Sequence, residues 1–252
     1  MLEVLIVGAT RGLGASLVKE YATRGDHVCA TARSGEPPES SSNITYIPNI
    51  DIANEKAGLS IGTKIGTRKL DIVIITAGYF GTESFDKPDW EGELKMYTTS
   101  SVGPVFVVHH LVKAGLVGSG SKIILVSSES GSITLRHKSE GGGNYGHHAS
   151  KAALNMVGKL LSLDLKEQGI SVGIVHPGFM RTDMTRGVGF DKYWDQGGAV
   201  TPDEAAKSLV PFIDDFGLTK TGEYWAPRGP RDIGTAEAVL GKNLSTPLRL
   251  PW

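Results

Sequence analysis

Val4-Leu5-Ile6-Val7-Gly8-Ala9-Thr10-Arg11-Gly12-Leu13-Gly14 stands near the start of the chain, and its reading decides the fold. The four apolar residues are too few for a helix and suit a strand buried on both faces. They break into a glycine-rich turn, after which Ala15 to Tyr21 reads as a helix with an apolar stripe. Strand, glycine turn and helix in that order form a place for a nucleotide pyrophosphate. Glycine lets the backbone approach the phosphates, and a helix N-terminus offers free N–H groups and a positive dipole end. A tight turn without a ligand would explain the glycines, but less well their position between a strand and a helix.

The second strand, His27 to Thr31, ends at Ala32-Arg33-Ser34, where a dinucleotide site reads the adenosine ribose. An acidic residue there would bind the ribose hydroxyls and select NAD. Ala32 is neutral and Arg33 cationic, while Arg11 adds a second cation beside the phosphate turn. Two guanidinium groups favour a 2′-phosphate, so the expected cofactor is NADP(H). A lone arginine is commonly a solvated surface charge; two at the two expected places point to a ligand.

Further along, Gly35 to Asn43 is a loop and Ile44 to Ile52 carries a third strand ending near Asp51. The Asp51 carboxylate could accept from the adenine amino group or cap a helix starting near Ala53. Leu70 to Thr76 is an apolar strand ending in Ala77-Gly78, small enough for a cofactor to pass close by. Trp90 to Leu116 reads as one long helix, bent at Pro104, whose broad apolar face could also serve a subunit interface. Lys122 to Ser127 is a fifth strand, with Ser128-Glu129-Ser130-Gly131 leaving its carboxyl end. A polar loop, Ser132 to Asn144, leads into a helix from about Tyr145 to Gln168. Ile170 to Val175 is a sixth strand stopped by His176-Pro177-Gly178. Phe179 to Val200 is long for a connection and is the candidate lid, its Phe190, Tyr193 and Trp194 suiting an apolar ligand or simple packing. Thr201-Pro202-Asp203-Glu204 begins the last helix, and Thr221 to Ala226 is the closing strand. The alternation gives an α/β fold: a doubly wound parallel sheet in three layers, one domain over residues 1–252.

With 252 residues, 40% of them hydrophobic, the chain suffices for one such core. A formal net charge of −1 gives no global basic surface for nucleic acid. Cys29 is the only cysteine, so no intrachain disulfide forms, which suits a reducing compartment. No apolar stretch approaches a membrane span, and Met1 leads almost directly into the first strand. The expectation is a soluble, cytoplasmic protein that binds a small-molecule substrate, with neither nucleic acid nor membrane as partner. No further ligands are spaced around His147-His148 for a metal, and His148, His109 and His110 read as surface or packing residues.

The motifs resemble those of the short-chain dehydrogenase/reductase family, nearest its carbonyl-reductase branch. They are Gly8-x-x-x-Gly12-x-Gly14, Asp51, Ala77-Gly78, Ser128, Ser150-Lys151-Ala152-Ala153-Leu154-Asn155, and Pro177-Gly178 followed by Thr182-Asp183-Met184. The resemblance implies carbonyl reduction or alcohol oxidation by hydride transfer at a nicotinamide. It assigns the substrate-orienting serine to Ser128, the ribose-binding lysine to Lys151 and the carboxamide contact to Thr182. Thr10, Leu13, Ser34, Ile52 and Met180 join the cofactor contacts. A homodimer or homotetramer through the long helices is expected.

That pattern is departed from in three places. The family's proton-donating tyrosine, four residues before the lysine, is His147, and its asparagine, three before Gly103, is Ser100. Tyr145, six before Lys151, lies some 120° round the helix and cannot simply replace the missing acid. The Asn-Asn-Ala-Gly segment reads Ile75-Thr76-Ala77-Gly78. Beside Lys151 an imidazolium is disfavoured, but a neutral ring still donates a hydrogen bond to a substrate oxygen. Three functions follow: carbonyl or enone reduction with an atypical Ser128-His147-Lys151 centre; a non-redox isomerase, cyclase or dehydratase using His147 as acid or base; or a non-catalytic NADP-binding protein.

Overall fold

The apolar strands pair into one sheet because each is bounded by turns too polar to bury. In the computed structural model, which describes residues 1–252, eight strands are ordered β3-β2-β1-β4-β5-β6-β7-β8. They are β1 (Glu3–Val7), β2 (His27–Thr31), β3 (Ile44–Ile47), β4 (Ile72–Ile75), β5 (Lys122–Val126), β6 (Ser171–Val175), β7 (Tyr224–Ala226) and β8 (Leu248–Arg249). The first seven run parallel, and β8 pairs antiparallel to β7.

Alternation along β1 shows why both faces must be covered. Leu5 and Val7 pack with α2 (Ala57–Ile65), α4 (Gly103–Lys113) and α5 (Tyr145–Leu165) on one side. Val4 and Ile6 pack with α1 (Gly12–Thr23) and α7 (Pro202–Asp215) on the other. The result is the expected α/β/α sandwich. Its strand order reverses at β1, so the crevice for a ligand opens between the carboxyl ends of β1 and β4.

Several boundaries differ from the sequence reading. The long helix of 90–116 is three pieces: α3 (Trp90–Tyr97), a π-helical turn Thr98–Val102, and α4. Pro104 has no N–H for the carbonyl four residues back, and the register shifts so that Gly103 N–H donates to the Thr98 carbonyl. The third strand stops at Ile47, before Pro48. Asp51 caps no helix; its carboxylate closes a local turn onto Ala53 N–H at 3.0 Å, and α2 starts only at Ala57. Thr201 caps α7 with Glu204 as expected, but a further helix, α8 (Ala236–Leu240), follows it. The tail then returns to place β8 outside the expected closing strand. The lid segment contains α6 (Asp183–Gly187) and is tied down by a bridge between Met180 and Val200 and an Arg181–Asp195 ion pair at 2.7 Å. No helix is long and apolar enough to cross a membrane.

Candidate active site

Turns leaving β1, β2, β4, β5 and β6 surround one cleft of about 680 Å³. At one end lies the glycine turn. Gly8 (φ +91°) is required by the protein itself, because a Cβ there would lie 2.8 Å from the Ala77 backbone. Gly12 (φ +54°) has the open side: only the Thr182 methyl, at 3.6 Å, is near its missing Cβ. Thr76, standing in the family's asparagine segment, donates its hydroxyl to the Val7 and Gly8 carbonyls at 3.0 and 2.9 Å. That clasp fixes the turn where α1 begins, and Gly12, Leu13 and Gly14 of the first helical turn line the cleft.

Arg11 and Arg33 are both exposed at this end, both line the cleft, and neither forms an ion pair. A dinucleotide fits these residues: an open cradle at Gly12, an amide-rich helix start, and two cations without counter-ions. Thr10, Leu13, Gly14, Ser34, Asp51, Ile52, Ala77, Gly78, Pro177, Gly178, Met180 and Thr182 also line the cleft. Ala32 does not. It is 1% exposed in the core and contributes only backbone, through Ala32 N–H to the Ile47 carbonyl.

At the other end, Ser128 and Lys151 are set by one joint between β5 and α5. A Cβ on Gly131 would lie 2.7 Å from the Lys151 backbone, so the turn after Ser128 presses directly on the helix. Ser127 Oγ donates to Asn155 Oδ1 at 2.6 Å, and Asn155 Nδ2 donates to the Gly131 carbonyl at 3.2 Å. Ser128 Oγ accepts from Ser130 N–H at 3.2 Å, leaving its own hydrogen free for the cleft. Lys151 is buried, donates to the Val126 carbonyl at 2.9 Å, and is lowered by burial to about 8.

His147, one turn before Lys151 on α5, also faces the cleft. Its ring stacks on Phe80 with centroids 4.1 Å apart. Nδ1 is buried without a partner, which leaves Nε2 as the nitrogen turned to the cleft. Burial, then the charges of Lys151, His148 and Arg136, lowers His147 to about 3. The ring is neutral, as the sequence reading held, but burial rather than like charge is the larger cause. Tyr145 stands 41% exposed and away from the cleft.

Ser100 does not line the cleft. The π turn holds it buried behind Gly78, with its Oγ unpartnered. His148, read from sequence as packing, does line it: Nδ1–H donates to the Asn144 carbonyl at 2.7 Å and Nε2 accepts from Arg136 at 3.1 Å. Those two partners fix its tautomer. Of the lid aromatics, Phe190 and Tyr193 reach the cleft, Phe190 edge-on to Phe80 at 5.4 Å. Trp194 instead donates to Thr185 Oγ1 at 3.2 Å, with Arg181 and Arg186 over its ring.

Sequence reasoning missed Tyr79, Phe80, Arg136, His176 and Asp232 as lining residues. Tyr79-Phe80 directly after Ala77-Gly78 was a usable signal. Asp232 gave none: its buried carboxylate accepts Phe179 N–H at 2.8 Å from 53 positions away. No group of three or more His, Cys, Asp or Glu side chains is placed to hold a metal ion.

Comparison with known proteins identifies the family. A family profile described as short chain dehydrogenase matches residues 3–192. A 1-hydroxy-2-glutathionyl-2-methyl-3-butene dehydrogenase of Rhodococcus is 27% identical over 226 residues, 89% of this chain and 96% of that one. The carbonyl reductase Sniffer of D. melanogaster superposes with a TM-score of 0.76 at 25% identity, over 100% of both chains. An NADPH-bound carbonyl reductase from chicken fatty liver gives 0.76 at 24% identity, over 90% of this chain and 91% of that one, a likeness of fold. The profile match covers most of the chain and both ends of the cleft, and on that ground the protein belongs to the short chain dehydrogenase family.

Proposed function

We propose that this protein is an NADP(H)-dependent oxidoreductase that reduces the carbonyl of an apolar small molecule, a ketone or enone. The observation that carries the reading is the cleft's polarity. It runs from two unpaired arginines beside an open helix start to Ser128, Lys151 and His147, the last stacked on Phe80, which meets Phe190 edge-on. The named carbonyl reductases support the reaction type, and the NADPH bound in one of them supports the cofactor.

When bound, NADP(H) would supply the hydride. Gly12 and the start of α1 would hold its pyrophosphate, Arg11 and Arg33 its 2′-phosphate, and Thr182 and Lys151 its nicotinamide end. Ser128 Oγ–H and the neutral His147 ring would hold the substrate oxygen as charge develops on it. Phe80, Phe190 and Tyr193 would exclude water around the reacting carbon.

Absorbance of NADPH at its nicotinamide band, followed with a panel of ketones, enones and quinones, tests the reading. Consumption of NADPH with at least one carbonyl class is expected. Arg33→Asp should weaken NADPH at least tenfold relative to NADH, since a bidentate cation is exchanged for a like charge. Tight NADPH binding with no turnover on any carbonyl would overturn the reductase assignment, and turnover without net NADPH loss would favour a non-redox reaction.

A further inference from the structure

The proton needed at the substrate oxygen has a different source from the one the position of His147 suggests. His147 packs on Phe80 from the turn after β4 and meets His148 and Lys151 on its own helix and Arg136 from the segment before α5. The charged side chains that act on it, Lys151 and Arg136, are both cations. Arg136 is itself held by Glu140 at 2.9 Å and lies 3.8 Å from Glu129, so those carboxylates serve the guanidinium and not the ring. A buried imidazole among cations, with no carboxylate partner, does not keep a second proton. Its single proton belongs on Nε2. There it can be used in the cleft, whereas on Nδ1 it would be a buried N–H without an acceptor, the costlier vacancy.

Lys151 is placed otherwise. One of its three N–H bonds goes to the Val126 carbonyl at 2.9 Å. The same nitrogen lies 3.8 Å from the point where a Cβ on Gly78 would stand, at the floor of the cleft, and Ser100 Oγ lies 4.0 Å from that point. No carboxylate forms an ion pair with it. Two N–H bonds remain, for the nicotinamide ribose assigned to it above and for the substrate oxygen, and no anion opposes proton release.

We propose that Lys151, and not His147, delivers the proton in carbonyl reduction, while His147 acts as a neutral ring whose Nε2–H holds the substrate oxygen beside Ser128. The assignment rests on the reductase reading above. With NADPH supplying the hydride for the new C–H bond when bound, the π electrons of the carbonyl would move to oxygen, and the O–H bond would form as Lys151 Nζ loses a proton. The neutral amine then regains a proton from solvent, so atoms and charge balance. Burial of Lys151, which lowers it to about 8, makes that proton available near neutral pH.

The test has a spectroscopic arm and a kinetic one. In protein labelled with 15N-histidine, with His147→Gln identifying the signal, His147 should show the Nε2–H tautomer and should not titrate from about pH 8 to about pH 5. In the NADPH assay, kcat/KM should be level through the acid range and fall above about pH 8. His147→Gln, which keeps an N–H donor but changes how the substrate oxygen is held, should lower kcat/KM and yet keep the level acid range and the fall above about pH 8. Lys151→Gln and Lys151→Arg, shown by NADPH fluorescence to fold and bind, should lose roughly 10²–10⁴-fold in kcat. Arginine keeps the charge but does not release a proton at these pH values. An imidazolium signal for His147 above pH 6 would overturn the proposal. So would an acid limb that disappears in His147→Gln, or wild-type turnover by Lys151→Arg. Wild-type protein that binds NADPH but reduces nothing would instead remove the reductase reading on which it stands.

Discussion

His147 shows how one substitution couples burial, charge and stability. In the unfolded chain the ring titrates near its ordinary value of about 6.5, whereas in the folded protein burial and neighbouring cations hold it near about 3. Between those values the unfolded state binds a proton that the folded state refuses. Stability therefore falls as pH drops through that window, by at most about 1.4 kcal/mol per pH unit. His148 and His176, both lowered by burial, act in the same direction. Urea unfolding of His147→Gln should show a shallower loss of stability between about pH 6 and pH 4 than wild type. Equal slopes would mean that the ring is not buried as described. The same residue explains what one can read locally. Counting back four from Lys151 finds His147, but no count finds Phe80, whose ring covers it from a turn 67 positions earlier.

The start of α5 is built from a different part of the chain. Asn144, its N-cap, sits in a left-handed conformation and gives no side-chain cap. The missing acceptor comes from Glu83, whose carboxylate takes Gly146 N–H and whose carbonyl takes Asn144 N–H at 3.0 Å. Gly146 packs closely on α3, where an added Cβ would stand 3.1 Å from the Glu93 Cα and would displace the Met96 side chain. The turn bearing His147 is thus docked onto α3 and the segment after β4. Glu83→Ala should cost about 1 kcal/mol, the usual loss for a helix cap, and Glu83→Gln should recover most of it. Thermal unfolding of the two variants measures the difference, and identical midpoints would remove Glu83 from this role. The π turn before α4 belongs with it. Pro104 was visible in the sequence and its influence foreseen, but the burial of Ser100 comes with the packing of α3 and the π turn itself on α5.

Across the assembled fold, two exterior surfaces are unusually apolar. Val102 and Phe106 stand 46% and 39% exposed along the π turn and α4, and Met156, Leu160 and Leu163 stand 59%, 52% and 61% exposed along α5. The last three share one stripe at helical spacing, on the side of α5 away from Leu154 and the core. Such a stripe suits contact with a second copy of the chain. Light scattering is expected to give a dimer or tetramer, and Leu160→Glu should raise the dissociation constant at least tenfold. A monomeric wild type would show that these side chains remain in water.

The sequence by itself determined the order of the first seven strands, the glycine turn, the arginine pair and the histidine four residues before Lys151. Each is a local matter of periodicity, turn chemistry or spacing along one helix, and the doubly wound sheet follows from their alternation. It also misjudged where forces act at a distance. Ala32 turned into the core because its backbone joins β3, Ser100 withdrew behind Gly78, and Asp232 and Arg136 arrived at the cleft from loops. The eighth strand came from a tail with no strand pattern of its own. Burial, charge and hydrogen-bond vacancy are properties of a neighbourhood, and only the folded chain, by bringing distant segments together, decides which side chain is dry, which is paired and which can still release a proton.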